Sequence, residues 1–363
     1  MRAVNFIFIF LLFLGITEAK EVTHQVRPNS NFESTALNNS CSTMFSSPFS
    51  YKCNPALFPY ASGNNIQFSM VGKSEGDSIE NGKKLIFEPI TEEEIRELFK
   101  KKSYNSFTFN SDISFKTKWF ELSYSPYYLL ADLAIYNPTF PEIAIHVVNQ
   151  ETLRATSGLE VFKQDSQYIS SISLGAGLFY YKHLYENTVF SLYDLATQRP
   201  NQLVNFKSKY GVASDLGLFI KNDNVFTPNI ALKTKNLFSK IKYNRQNANS
   251  ALQLESFMAF ENYSTFALGK SYKTFFGGID LNLELPFLGP FKEVTSEQTT
   301  LGFRYNIKLF SLLTNYSNYY RGVGMLFESE NFNIGISYSK EKDLAYKQDK
   351  FENSVYAGVE IVL

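Results

Sequence analysis

From about residue 105 to its end, this 363-residue chain repeats one pattern: short runs in which every second residue is apolar, broken by turn residues. GIDLNLEL (278–285) sets Ile279, Leu281, Leu283 and Leu285 against Asp280, Asn282 and Glu284. LGFRYNIKL sets Leu301, Phe303, Tyr305, Ile307 and Leu309 against Gly302, Arg304, Asn306 and Lys308. SISLGAGLFYY and NFNIGISYSK repeat the pattern with Gly and Ser between the apolar residues. Successive side chains of a strand point to opposite faces, so each run has one apolar and one polar face. The polar face decides the architecture. A face in bulk water carries mostly Lys, Glu and Thr, whereas here Gly, Ser and Asn dominate several runs. Small polar residues suit the crowded inside of a closed sheet, which turns the apolar face outward to lipid.

Composition supports the same reading. With 35 Phe, 23 Tyr, a single Trp and only 44% hydrophobic residues, the chain fits many half-apolar strands better than one dry core. Lys plus Arg equals Asp plus Glu at 35 each, so no global charge draws the chain to nucleic acid. Beyond the N-terminus no window approaches 18 consecutive apolar residues, which excludes transmembrane helices. A closed β-barrel is the other structure that satisfies its backbone in lipid. Tyrosine clusters at 124–128, 180–181 and 316–320 read as interfacial girdles.

The N-terminus reads as a signal peptide: Arg2 precedes the apolar core FIFIFLLFLG (6–15), and Thr17-Glu18-Ala19 offers a cleavage site. Export to the outer membrane of a Gram-negative cell is the expectation. Residues 20–62, rich in Ser, Asn and Pro, read as an irregular segment. In an exported chain its two cysteines, Cys41 and Cys53, are expected to form a disulfide. Their spacing is too wide for a metal pair, and His24, His146 and His183 are too scattered to help. ITEEEIRELFKKK (90–102) predicts one short helix, with Thr91 as N-cap, Glu94 completing a capping box and Lys100, Lys101 and Lys102 at its negative end. The expected organisation is a signal peptide at 1–19, the disulfide-bearing segment at 20–62 and a barrel at 63–363. The fold class is all-β: a transmembrane antiparallel barrel of about 14 strands with a plug-like N-terminal segment and one short helix. The final run VYAGVEIVL is the expected closing strand, read by the barrel-assembly machinery.

Two further segments carry a family resemblance. CNPALFPY (53–60) resembles the Asn-Pro-Ala start shared by FadL-like and PorV/TraF-like outer-membrane proteins. YGVASDLGLFIK (210–221) followed by TPNIALKTKNL (227–237) is similar to that superfamily's middle hairpin, an Asp-Leu-Gly-Leu strand followed by a strand ending near an Asn. The resemblance touches about a third of the chain. It implies a plugged barrel of the size already inferred. In the FadL-like branch it implies diffusion of hydrophobic molecules through the wall, and in the PorV-like branch a scaffold role in secretion.

Catalytic patterns are not supported. LGKSY (268–272) contains Gly-Lys-Ser, but Ser264 stands where a phosphate loop needs its first Gly, in a strand-like context. No Gly-x-Ser-x-Gly elbow occurs, and His146 and His183 sit in ordinary barrel or loop contexts. The chain is therefore not expected to be an enzyme or to need a cofactor. The candidate site residues are charged and polar groups on the inferred inner face: Asp280, Asn282 and Glu284 on one strand, Arg304, Asn306 and Lys308 on the next. If these strands pair, acids and bases form a lumen-lining ladder that tunes passage, holds a plug by salt bridges, or simply fills the barrel. The connections at 192–203, 286–298 and 340–353 are expected to face outward. The expected function is a channel or transporter for hydrophobic or small solutes. The alternative is a non-transporting barrel acting as scaffold, secretion partner or adhesin. Expected partners are outer-membrane lipid, a hydrophobic small-molecule ligand and the assembly machinery.

Overall fold

A computed structural model shows a closed antiparallel barrel of fourteen strands in which each strand pairs with its sequence neighbours and β1 closes on β14. The structure describes residues 31–45, 47, 49–61, 63–76, 103–136, 142–164, 169–191, 207–243, 263–288, 299–318, 320–342 and 351–363. The signal peptide, the helix at 90–102, the connection at 192–203 and most of those at 286–298 and 340–353 lie outside the described residues. The strands are β1 (Asn65–Gly76), β2 (Ser103–Lys116), β3 (Phe120–Tyr136), β4 (Glu142–Lys163), β5 (Ser171–Ser191), β6 (Lys207–Lys221) and β7 (Asn229–Tyr243). They continue with β8 (Tyr263–Lys273), β9 (Gly278–Leu288), β10 (Thr300–Ile307), β11 (Phe310–Tyr316), β12 (Tyr320–Glu328), β13 (Phe332–Lys342) and β14 (Phe351–Val362). The terminal run does close the sheet: Gln67 lies opposite Val362, and Ile66 and Leu363 exchange backbone hydrogen bonds at 2.9 Å.

Alternation fixes which solvent each face meets. On β2, Ile113 and Phe115 are exposed while Asp112, Ser114 and Lys116 are buried. On β13, Phe332, Ile334, Ile336 and Tyr338 are exposed while Asn333, Ser337 and Ser339 are buried. Leu281 on β9 is exposed, and its neighbours Asp280, Asn282 and Glu284 are buried. This order is the reverse of a water-soluble barrel, and an apolar outer band around a polar interior is the arrangement a bilayer requires. The same alternation divides the tyrosine clusters. Tyr124, Tyr127, Tyr180 and Tyr316 are on the outside, but Tyr128, Tyr181 and Tyr320 are buried within, because adjacent residues of a strand cannot share a face.

The two rims differ. At one, strands are joined by connections of two to seven residues, at 117–119, 164–170, 222–228, 274–277, 308–309 and 329–331. The connections at the other rim include 77–102, 192–206, 244–262 and 289–299.

The interior is filled from the short-turn side by residues 31–61, which are not irregular throughout. α1 (Phe32–Ala36) is capped by Asn31, whose side chain accepts from Ser34 N, and 3-10 turns follow at Ser50–Lys52 and Pro55–Tyr60. A disulfide joins Cys41 to Cys53 with their Cα atoms 5.8 Å apart. Two apolar clusters form where this plug meets the wall. One gathers Phe32, Leu37, Met44 and both cysteines with Val71, Leu313 and Leu326. The other gathers Tyr51, Leu57 and Phe58 with Phe219, Ala231 and Ala267.

Candidate functional site

The plug is held by charge as well as packing. Lys52 pairs with Asp112 of β2 at 2.8 Å and with Glu121 of β3 at 3.8 Å, all three groups almost fully buried. Burial works against the Lys52 charge, but Asp112 and Glu121 together keep its pKa above the ordinary lysine value. Tyr51 donates its hydroxyl to Glu121 at 3.0 Å. On the opposite side Glu33 meets the Arg304 guanidinium at 3.3 Å and accepts from Ser47. Burial pushes the Glu33 carboxyl up from 4.5 to about 7, against the opposing pull of Arg304. Backbone groups of the plug are also bound. Phe32 N donates to Glu360 at 2.9 Å, Lys116 Nζ donates to the carbonyls of Ala61 and Gly63 at 2.9 Å each, and Asn315 donates to Leu37 O.

The two expected charged strands do pair, with Arg304 directly opposite Asp280 and Gly302 opposite Asn282. Their side chains turn to the plug more than to one another. Glu284 accepts from Ser42 N at 3.0 Å and from its hydroxyl at 2.5 Å, and pairs with Lys233 of β7 at 2.8 Å. Asn282 accepts from Thr43 N at 3.2 Å and Oγ1 at 2.6 Å. Asp280 is buried beside them. Arg304 pairs with Glu33 of the plug and, at 2.6 Å, with Glu328 of β12. Asn306 accepts from Ser311, which also donates to Glu328. Lys308 departs from the expected lumen surface: β10 ends at Ile307, and Lys308 is exposed in the β10–β11 turn with φ 54. The turn ends the alternation that placed it inside. Sequence reading missed the wall partners Asp112, Glu121, Lys233, Glu328 and Glu360, although each is an inward residue of an alternating run.

Segments singled out separately in the sequence come together here. Asn54 caps its own turn by accepting from Ala56 N at 3.1 Å, and its amide donates to Leu218 O on β6 at 3.4 Å. Pro55 lies so close to Gly175 of β5 that a Cβ there would overlap its carbonyl, and a Cβ on Gly217 would overlap Asn54 Oδ1. The same β6 run carries Asp215, and TPNIALKTKNL supplies β7 with Asn236. The two meet at an interruption of the barrel wall. Between Val212–Lys240 and Leu216–Thr234, β7 uses two residues more than β6, so the ladder shifts register twice. Asn236 adopts φ 59, and its N–H donates to Asp215 Oδ1 at 3.0 Å in place of a strand carbonyl. Ser214 Oγ donates to Leu237 O at 2.7 Å. Among the described residues this is the seam with the most ladder shifts.

Inside the wall above the plug, β4, β5 and β6 present Gln150, Arg154, Phe179, Tyr181, His183 and Ala213, all buried. His183 Nδ1 lies 2.9 Å from Gln150 Oε1. The His146 side chain lies outside the described residues.

No protein-family model matches the chain, and no curated protein matches it in sequence. Similar traces occur among solved structures of hydrocarbon channels and toluene transporters. The CymD monoaromatic hydrocarbon channel is 8% identical, with 92% of this chain and 97% of that one covered and a TM-score of 0.47. The Ralstonia pickettii toluene transporter TbuX is 10% identical, with 93% and 99% covered and a TM-score of 0.47. The Pseudomonas putida toluene transporter TodX is 9% identical, with 94% and 99% covered and a TM-score of 0.45.

Proposed function

We propose that the protein is an outer-membrane barrel that passes hydrophobic solutes past a fixed plug, through its wall. The observation that carries this reading is the twice-shifted β6–β7 seam beside an apolar stretch of lumen. Leu237 and Ala213 face inward at the seam, next to Tyr181 and Phe179. The plug, tied to the wall by the buried Lys52, Glu33 and Glu284 pairs, favours a sideways route over an aqueous path down the axis. A wall with fewer backbone bonds is the least demanding place for neighbouring strands to separate, and the apolar outer band gives a solute leaving there a lipid environment.

The test is uptake of a radiolabelled monoaromatic hydrocarbon and a labelled fatty acid by cells whose only such barrel is this one, together with single-channel conductance. Uptake of either solute with little conductance is expected. Val212 and Lys240 lie directly opposite across the seam. Linking V212C to K240C by oxidation should therefore abolish uptake while leaving outer-membrane fractionation unchanged. A folded, inserted barrel that takes up neither solute overturns the transport reading, and a locked seam that still transports overturns the route.

A further inference from the structure

Two like charges face each other on the outer wall of the barrel. Arg321 of β12 and Lys340 of β13 are directly opposite in the ladder, and both are exposed. Their neighbours in the same row are Tyr316 of β11 and Asn353 of β14, also on the outside. Every other outward position described on β10–β14 is uncharged. The acids Glu328, Glu341 and Glu360 of these strands point inward, to Arg304, Lys73 and Phe32 N. Elsewhere on the outer face an exposed cation stands beside an acid: Lys182 of β5 lies opposite Glu151 of β4, 3.8 Å from it. Directly opposed side chains of antiparallel strands have Cβ atoms about 5 Å apart, and like charges there are destabilising. The Arg321–Lys340 row is therefore a place where the wall gains from a bound anion.

Its height on the barrel says where that anion comes from. Tyr316 and Arg321 form the last ladder pair before the connection 317–319, at the rim that also carries 77–102, 192–206, 244–262 and 289–299. The Arg321 guanidinium lies over the Tyr316 ring, 5.3 Å from its centroid, which keeps the group against the wall. Toward the opposite rim the same two strands expose Val323 and Met325, and Ile334 and Ile336. From Phe332 to Lys340, β13 advances about 26 Å, which a strand tilt of about 40° turns into a height of roughly 20 Å. An apolar band of about 25 Å spans a membrane barrel. The cations thus stand at its edge, where hydrocarbon gives way to headgroups. In outer-membrane barrels the longer connections lie outside, so this edge meets the outer leaflet.

We propose that Arg321 and Lys340 form a site on the lipid-facing wall for the phosphate monoester of a phosphorylated glycolipid. Two adjacent cations match the charge of nearly two carried by such a phosphate at neutral pH. Arg321 supplies paired N–H donors and Lys340 a point charge. Asn353 and Tyr316 flank the phosphate as polar neighbours for the sugar, and the acyl chains lie along Val323, Met325, Ile334 and Ile336. The proposal rests on the outer band facing lipid, and on neither the lumen nor passage through the seam.

The experiment is native mass spectrometry of the full mature barrel in a neutral detergent, with heat-modifiable gel migration as the check of folding. The probes are a bisphosphorylated glucosamine-disaccharide lipid (lipid A), the same lipid stripped of its phosphates, and inorganic phosphate. The phosphorylated lipid should bind about ten-fold more tightly than the stripped one, and excess inorganic phosphate should not displace it. Replacing both cations, Arg321→Gln with Lys340→Gln, should bring the phosphorylated lipid down to the level of the stripped one. Lys308→Gln, which removes an exposed cation at the opposite rim, should leave binding unchanged. Equal affinity for the two lipids, or undiminished binding by a folded double variant, overturns the site. An equal loss in Lys308→Gln overturns its location, and displacement by inorganic phosphate overturns the lipid as its source. The comparison of the two lipids uses the unaltered protein, so it decides the matter even where a variant does not fold. Failure of hydrocarbon uptake would leave this site standing, and loss of lipid binding would leave the transport reading standing.

Discussion

Asn54 of the plug and Gly217 of β6 are in contact so close that residue 217 has no room for a side chain: a Cβ there would overlap Asn54 Oδ1 and lie 2.9 Å from Ala56 N. The contact joins the Asn-Pro-Ala turn to the Asp-Leu-Gly-Leu strand, and it sets the depth at which the plug sits. Gly217→Ala should therefore shift the plug rather than the barrel, at a cost of about 1–3 kcal/mol typical of overpacking. Protease cleavage within 31–61 should speed up while the heat-modifiable barrel band persists. Unchanged cleavage would mean that the plug relaxes around the added methyl.

Lys52 offers a charge test of the same docking. Its removal leaves Asp112 and Glu121 buried without their cation, and breaking one side of a buried pair costs about 3–5 kcal/mol. Lys52→Met should expose the plug to protease more than Gly217→Ala does. Neutralising both acids as well, with Asp112→Asn and Glu121→Gln, should restore much of the protection. A triple variant as exposed as the single one would show that Lys52 acts through packing alone.

The barrel itself was legible in the sequence because the side-chain period of a strand is a local property. Ile279 and Asp280 reveal their faces without reference to any other strand. The plug was less legible for the opposite reason. Ser42, Thr43 and Asn54 become meaningful only through Glu284, Asn282 and Gly217, more than 150 residues away in the chain, and nothing local announces such partners. The lumen charges on β9 and β10 could be picked out by type, but not the additional pairing of Arg304 with Glu33 and Glu328. Lys308 was misplaced because a two-residue turn leaves the alternation looking unbroken through Leu309. Arg154 was passed over because Leu-Arg-Ala-Thr reads as one more alternating run.

The disulfide encloses the stretch that carries Ser42, Thr43, Tyr51 and Lys52, all of them wall contacts. With a sequence separation of 12, its loss is expected to destabilise the plug by roughly 2–4 kcal/mol. The Cys41→Ser, Cys53→Ser double variant should retain barrel migration on gels but lose plug protection. If instead the barrel fails to assemble, the plug belongs to the folding core of the wall.

Glu33 makes plug docking depend on pH. Its carboxyl is raised from 4.5 to about 7 by burial, with Arg304 of β10 opposing and Glu328 of β12 and Glu360 of β14 adding to the rise. The docked plug therefore binds the Glu33 proton more tightly than a released plug does. The stabilisation is fully present below pH 4.5 and is lost as the pH rises to about 7. Plug protection should weaken across that window, and Glu33→Gln, which keeps an acceptor for Ser47, should flatten the profile. Protection that strengthens with rising pH would show that the ionised pair with Arg304 dominates instead.

Trp119 reports where the short-turn rim lies. It is the chain's single Trp, 72% exposed in the β2–β3 turn, with Lys118 Nζ 5.3 Å from its ring and exposed Phe120 beside it. An indole with a neighbouring ammonium group is a typical pairing at the boundary between hydrocarbon and headgroups. In bilayers of brominated lipid, Trp119 emission should be quenched most by bromines near the headgroup end of the acyl chain and least by those near the bilayer centre. Its emission maximum should lie to the blue of that in the urea-unfolded chain. Quenching strongest from the bilayer centre would sink the rim into the membrane and shift the outer band by several residues. No quenching at any depth would lift the turn clear of the lipid, leaving Phe115 and Leu122, exposed on the adjoining strands, as the nearest candidates for the boundary.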